Sequence, residues 1–394
     1  MRRYAVLGAG LMGRVVARDL LESEADATVT LLDLNPDLLR EAAGFVADPR
    51  LVARPLDVTD REAAAAALRG HCAAVAALPH GRSLDALRAA ISAGVPIVDL
   101  VGSYPERRME LDRAAREAGV LVVPGCGVAP GLSNVFVARG VEMLDVAEEA
   151  IIYVGGIPVE RTPPLEYQTV YSLQSMFGAF MRPARIWRDG QATTVEPLSG
   201  VELLDFGDEV GTLEAFYTDG LASLPLTMAG KITRSLEEKT LRYPGFAERV
   251  AVLKSCGMLD AAPVHVGGVE VAPRDVLIHQ VAPALELGPE GDIVVMRVRV
   301  TGASGGEERS HVFDLLDRFD SASGVTAMAR TTGYTASVTA RMICAGKLPR
   351  AGVFFPEQLF AGTPGEELLE ELARRGVVAG HSIWPRPSRP RPSR

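Results

Sequence analysis

Three glycines at fixed spacing, Gly8, Gly10 and Gly13, follow an apolar run that closes at Val6-Leu7. The first permits a tight turn, the second lets the backbone approach a pyrophosphate, and the third lets a helix sit close on the strand. Leu11 and Met12 lie between them, and Arg14 to Leu21 reads as that helix. Its free N–H groups and dipole suit an anion. A second strand, Thr28 to Leu32, ends in Asp33, twenty residues after Gly13. A carboxylate there accepts hydrogen bonds from a ribose diol and repels a 2′-phosphate, which favours NAD over NADP. Asp57 ends a third strand, where it could meet the adenine amino group or cap a helix. Val58, Leu78 and Pro79 complete the expected cofactor-binding set. His80 follows at the carboxyl end of the fourth strand, the edge where doubly wound sheets bind ligands. It reads either as a proton-transfer group or as a solvated loop histidine. His71 precedes that strand, at the opposite edge, and reads as surface.

A second set lies further on. Lys239 to Gly245 is a dense polar stretch, and Arg242 within it offers a planar fork for a carboxylate; a surface ion pair is the alternative. Pro163 to Tyr167 is a stiff segment that sets Glu166 beside an aromatic ring, in a site or on a solvated loop. The four cysteines, Cys72, Cys126, Cys256 and Cys344, are scattered without a C-x-x-C pair. That predicts no metal site, no disulfide framework and a reducing, cytoplasmic setting.

Positioning the glycine turn requires alternating strands and helices, and residues 1–124 supply them. Strands are expected at Leu51 to Leu56, Cys72 to Leu78, Ile97 to Leu100 and Val120 to Val123. Helices are expected after capping boxes at Thr59–Glu62 and Ser103–Glu106, and from Ser83 to Ala93. The pattern predicts an α/β fold: an N-terminal Rossmann doubly wound parallel sheet over residues 1–130. Pro124 to Gly131 breaks the rhythm. Leu132 to Met143 reads as a linking helix, Ala150 to Val154 as a strand, and Ile293 to Val300 with His311 to Leu315 as a strand pair. An α+β substrate and dimerisation domain is expected over 131–332. Thr326 to Ala345 and Pro364 to Arg375 read as helices, and residues 385–394 as a disordered Pro/Arg tail. The 394 residues carry 41 basic and 50 acidic side chains, a balance of −9 that excludes a nucleic-acid footprint. Met1 to Met12 has the outline of a signal peptide, but Arg14 and Asp19 interrupt it. No apolar run is long enough for a bilayer.

Gly127-Val128-Ala129-Pro130-Gly131, after a sixth Rossmann strand, resembles the saccharopine dehydrogenase superfamily, and within it the lysine 6-dehydrogenase branch. Tyr153 to Pro158, Pro163 to Tyr167, Leu213 to Phe216, Lys239 to Gly245, Pro273 to Leu277 and Ala327 to Thr332 extend the likeness to about residue 380. Saccharopine reductases differ in carrying Asp at the place of Ala129 and in lacking an acid at Glu166. The resemblance implies NAD-dependent oxidative deamination of the ε-amine of L-lysine, giving ammonia and allysine, which cyclises to piperideine-6-carboxylate. It implies Arg242 as carboxylate clamp, Glu166 and Tyr167 near the amine, and His80, Lys239 or Tyr167 as proton acceptor. It further implies a homodimer or higher homo-oligomer, and a C-terminal segment, 333–384, packed back on the first domain. The alternatives are a saccharopine-forming or saccharopine-splitting oxidoreductase and a non-catalytic NAD-binding sensor.

Overall fold

The computed structural model describes residues 2–385 apart from Pro349. The first layer runs β1 (Arg2–Leu7), α1 (Leu11–Ser23), β2 (Ala27–Asp33), α2 (Pro36–Val46), β3 (Leu51–Pro55), α3 (Arg61–Leu68), β4 (Ala73–Ala76), α4 (His80–Ala93) and β5 (Ile97–Asp99). It closes with α5 (Pro105–Met109), α6 (Asp112–Glu117) and β6 (Leu121–Pro124). These strands pair in parallel in the order β6-β5-β4-β1-β2-β3. Helices on both faces demand strands that are apolar on both sides, and Tyr4 to Leu7 and Ala73 to Ala76 are buried throughout. The expected doubly wound parallel sheet is therefore present.

The helix starts differ from the sequence reading. Asp60, not Thr59, caps α3 by accepting from the Ala63 amide at 3.0 Å. Thr59 turns away to donate to Asp57 at 2.7 Å. No side chain caps α5, whose leading residue Tyr104 adopts a left-handed conformation with φ 54°. Helix α4 begins at His80, three residues earlier than Ser83. His71 is buried rather than superficial, bonded to Thr30 Oγ1 at 2.9 Å and to the Leu68 carbonyl at 2.8 Å.

Helix α7 (Leu132–Glu142) leads into a mixed sheet built on β7 (Val146–Pro158). Then come α8 (Leu173–Ala179), β8 (Ala184–Arg188), β9 (Gln191–Val195), β10 (Glu202–Asp205), β11 (Thr212–Tyr217), α9 (Leu224–Thr227), β12 (Ile232–Arg242) and α10 (Phe246–Ser255). A hairpin, β13 (Val264–Val266) and β14 (Val269–Val271), precedes α11 (Pro273–Val281). The long pair β15 (Asp292–Ser304) and β16 (Glu307–Arg318) realises the expected hairpin. The order is β10-β11-β12-β7-β15-β16, with β8 and β9 branching from β12.

Helix α12 (Ala327–Cys344) packs against α1 and β4, so the expected boundary at 332/333 falls inside a continuous helix. After it, β17 (Gly352–Val353) joins the first sheet beside β6. Helices α13 (Pro356–Leu359) and α14 (Thr363–Ala373) follow, and β18 (Ala379–Pro385) pairs with β16 of the second sheet. The C-terminal segment thus completes both sheets. Arg375 Nε donates to Asp19 on α1 at 2.6 Å, which ties the return in place. The expected tail beyond Pro385 lies outside the described residues. Against the expectation of no disulfide framework, Cys72, just before β4, and Cys344, at the end of α12, form a disulfide with their Cα atoms 5.6 Å apart. Scattered positions in sequence hid a pairing that only the return of α12 creates.

Candidate functional site

A cavity of about 800 Å³ opens between the carboxyl ends of the first sheet's strands and one face of β12. Its first wall is the glycine turn. A Cβ on Gly8, which has φ +103°, would strike the Ala77 carbonyl at 2.3 Å, and one on Gly13 would strike the Gly8 carbonyl at 1.8 Å. A Cβ on Gly10 would meet nothing within 4 Å, so the backbone there borders open space. Gly8, Gly10, Leu11, Met12, Asp33, Asp57, Val58, Leu78 and Pro79 all line this wall, whereas Gly13 lies beneath it. Asp33 accepts from the amides of Ala9 at 2.7 Å and Asn35 at 2.8 Å, which fixes its carboxylate at the cavity edge. Asp57 also reaches the cavity; it braces the turn before α3 but is not its cap. The open space at Gly10 and the fixed acid at Asp33 fit a dinucleotide.

His80 opens α4 on the same wall, with Nδ1 2.8 Å from Ser103 Oγ. The Ser103 loop is itself held by Arg108, whose guanidinium bonds the carbonyls of Val101 and Ser103. Arg108 is anchored on Asp99 and Ser83 in a fully buried cluster. Desolvation, then the charges of Arg182 and Arg108, lower the His80 pKa, so its imidazole is neutral at neutral pH.

The opposite wall comes from the second domain. Alternation along β12 sends Glu238, Thr240 and Arg242 into the cavity. Lys239 faces the other side of the sheet, bonded to Glu202 at 2.6 Å and to the Gly200 carbonyl at 2.7 Å, so it does not share a site with Arg242. Glu166 and Tyr167 do not line the cavity either. Glu166 pairs with Arg161 at 3.4 Å. Tyr167 is fully buried behind Arg242, whose guanidinium lies 4.9 Å over its ring and 5.6 Å over that of Phe246. Glu214 fixes the turn after Arg242 by accepting from the amides of Gly245 and Ala247 at 2.7 and 2.5 Å.

Arg242 spends one N–H on its own strand, at the Leu241 carbonyl, and a long one, 3.5 Å, on Tyr171. Its Nε is buried with no hydrogen-bond partner among the described residues. The sequence reading missed Glu238, Thr218, Asp219 and Arg182. Glu238 is 3 % exposed, and burial raises its carboxyl to about 8. Arg182 lines the cavity and approaches Asp219 at 3.7 Å, while Arg185 binds Asp219 at 3.1 Å. The period-two face of β12 was the available signal for Glu238; the other three depend on loops whose folding the sequence does not announce. Helix α12 closes the cavity with Met328 and Thr332.

Residues 4–123 match the family model described as the saccharopine dehydrogenase NADP binding domain, and residues 127–377 that of the saccharopine dehydrogenase C-terminal domain. A saccharopine dehydrogenase (NADP(+), L-glutamate-forming) of Pyricularia oryzae is 26 % identical over 269 residues, 64 % of this chain and 57 % of the relative. An alpha-aminoadipic semialdehyde synthase of Bos taurus is 24 % identical over 68 % of this chain and 36 % of the relative. The chain therefore spans only about a third to just over half of these two proteins. A carboxyaminopropylagmatine dehydrogenase of Synechocystis is 21 % identical and covered almost end to end, 91 % of this chain and 93 % of the other. The solved apo saccharopine dehydrogenase (L-Glu forming) of Saccharomyces cerevisiae shares the fold with a TM-score of 0.80 at 19 % identity, over 98 % of this chain and 100 % of that one. With both domain models matched in order across nearly the whole sequence, the chain belongs to the saccharopine dehydrogenase family.

Proposed function

We propose that the chain is an NAD-dependent dehydrogenase of amino-acid amines, and that it oxidises the ε-carbon of L-lysine with release of ammonia. The observation that carries this reading is Arg242: a buried guanidinium with an unpartnered Nε, presented to the same cavity as the glycine turn. An unpaired cation of this shape is stabilised by a carboxylate that can take two parallel bonds. Stacking on Tyr167 and Phe246 holds the fork flat and spares the substrate the cost of ordering it.

Gly8, Gly10, Asp33, Leu78 and Pro79 are the residues that would hold the nucleotide, with Asp33 favouring a free ribose diol over a 2′-phosphate. NAD, when bound, supplies the hydride acceptor. His80 sits where a neutral imidazole can position or relay a proton. The placement of Glu166 beside Arg161 removes it as the amine's partner, so the lysine reading draws on the family resemblance and on the length of the β12 face. Incubating the protein with NAD or NADP and a panel of free amino acids, and following absorbance of the reduced nicotinamide, tests the reading. Reduction with lysine and NAD is the expected result.

A second reading is favoured by Arg182, whose Nε is also buried without a hydrogen-bond partner. Two arginines on one cavity suit a secondary amine with carboxylates at both ends. Oxidation of the reduced cofactor in the presence of glutamate and allysine, with no reaction on free lysine, would select it.

A further inference from the structure

Glu238 has no task in the account above, and its surroundings are unusual for an acid. Thr218 Oγ1 donates to its Oε2 at 2.8 Å, and Thr240 Oγ1 lies 3.4 Å from its Oε1. Gly220 presses close: a Cβ there would stand 2.4 Å from the carboxylate. Asp219 is the charged neighbour acting on it, and no cation is among those groups. Beyond Asp219 stand Arg182 and Arg185, which hold that aspartate; His80 lines the first-domain wall, and Arg242 lies further along the same strand. A buried carboxyl without a cation stays protonated until a positive group arrives.

We propose that Glu238 is the proton acceptor for the substrate amine, seating the ammonium group against the hydroxyls of Thr218 and Thr240, which pair with each other at 2.8 Å, and then taking its proton. The proposal rests on the amine-oxidising reading and gives it a substrate geometry. Glu238 and Arg242 are four residues apart on one face of an extended strand, roughly 13 Å between Cα atoms. One substrate engages both when its carboxylate and its amine are separated by an aliphatic chain. An α-amine, adjacent to the carboxylate that Arg242 holds, does not reach Glu238.

The ammonium nitrogen gives one proton to a Glu238 oxygen and keeps the electron pair. That pair becomes the C=N bond as the neighbouring carbon gives up its hydride to the oxidised nicotinamide of the proposed reading. An ordinary glutamate, near 4.5, is a poor acceptor for an amine of pKa about 10.4. A carboxyl raised to about 8 makes the transfer roughly three powers of ten less unfavourable, while still ionising in the presence of a cation.

Two measurements test this. In the wild type, kcat/KM for lysine should rise through about pH 8 as Glu238 ionises. In Glu238→Gln it should fall roughly 10²–10³-fold, and its rise should move to about pH 10, where free lysine supplies its own neutral amine. Thr218→Val removes a hydrogen bond that favours the ionised form, so its break should lie above that of the wild type. His80→Asn, whatever it does to the rate, should leave the break in place. Independently of turnover, calorimetry of lysine binding without nucleotide, in buffers of different ionisation enthalpy, should show about one proton released at pH 7, because the arriving cation ionises Glu238. Glu238→Gln should release none. A break near 8 that survives Glu238→Gln, a break that follows His80 instead, or binding without proton release would overturn the assignment. If the wild type oxidises no amino acid at any pH, the dehydrogenase reading falls, and proton release still decides on Glu238.

Discussion

Arg242 and Lys239 look interchangeable in the sequence, two cations in one polar stretch, yet the strand separates them completely. An odd spacing on an extended chain puts side chains on opposite faces. Applied to β12, that rule joins Arg242 to Glu238 and sends Lys239 to Glu202. The glycine turn was legible because its spacing between a strand and a helix is local, although the contact that requires Gly8, the Ala77 carbonyl, comes from distant chain. The second-domain wall of the cavity was not, because Thr218, Asp219 and Arg182 come from turns and ends of elements. Arg242→Lys keeps the charge but loses the fork and the stacking, and should lower kcat/KM by about 2–3 kcal/mol. Isothermal titration should find nucleotide affinity unchanged. Wild-type kinetics in a folded variant would place the carboxylate elsewhere.

Elements reach the site through a few buried acids used as braces. Glu214 on β11 is one: two amides at the start of α10 depend on it, and α10 carries the Phe246 ring that flanks Arg242. Glu214→Ala leaves those amides without a partner in a buried position, at a cost of about 1–3 kcal/mol. Urea unfolding should register that loss, and the KM for the amino acid should rise because the clamp loosens. Glu214→Gln, which keeps one acceptor oxygen, should recover part of both. The first six strands were legible from apolar runs and turn residues, whereas β8 to β12 were read only as a mixture of short strands and helices. Strand β17 was not: two residues carry no periodicity, and its place is set by Val120 and Val122 accepting the amides of Gly352 and Phe354. Strand β18 escaped for a similar reason, since most of its residues are exposed and its partner, β16, lies some seventy positions away.

On the scale of the molecule, the second sheet is inserted within the first, and the chain crosses between them before α7, into α12 and again before β18. The Cys72–Cys344 disulfide spans 272 residues across that arrangement. A cross-link of this kind stabilises by about 2–4 kcal/mol, largely by restricting the unfolded chain. Reductant should therefore lower the urea midpoint of the wild type and leave that of a Cys72→Ser/Cys344→Ser variant unmoved. The insertion also gives the molecule the character of a two-piece assembly held by a clasp. The tip of the β13–β14 hairpin, Gly267-Gly268, stands between exposed valines at 61 % and 60 % and offers a protease an accessible cut. Such a nick leaves each large sheet shared between the fragments: the second fragment supplies β15, β16 and β18 to one and β17 to the other, so strand pairing as well as the disulfide holds the pieces. The halves should co-elute on a sizing column, run as one band in denaturing gels without thiol, and part into two only when the clasp is reduced.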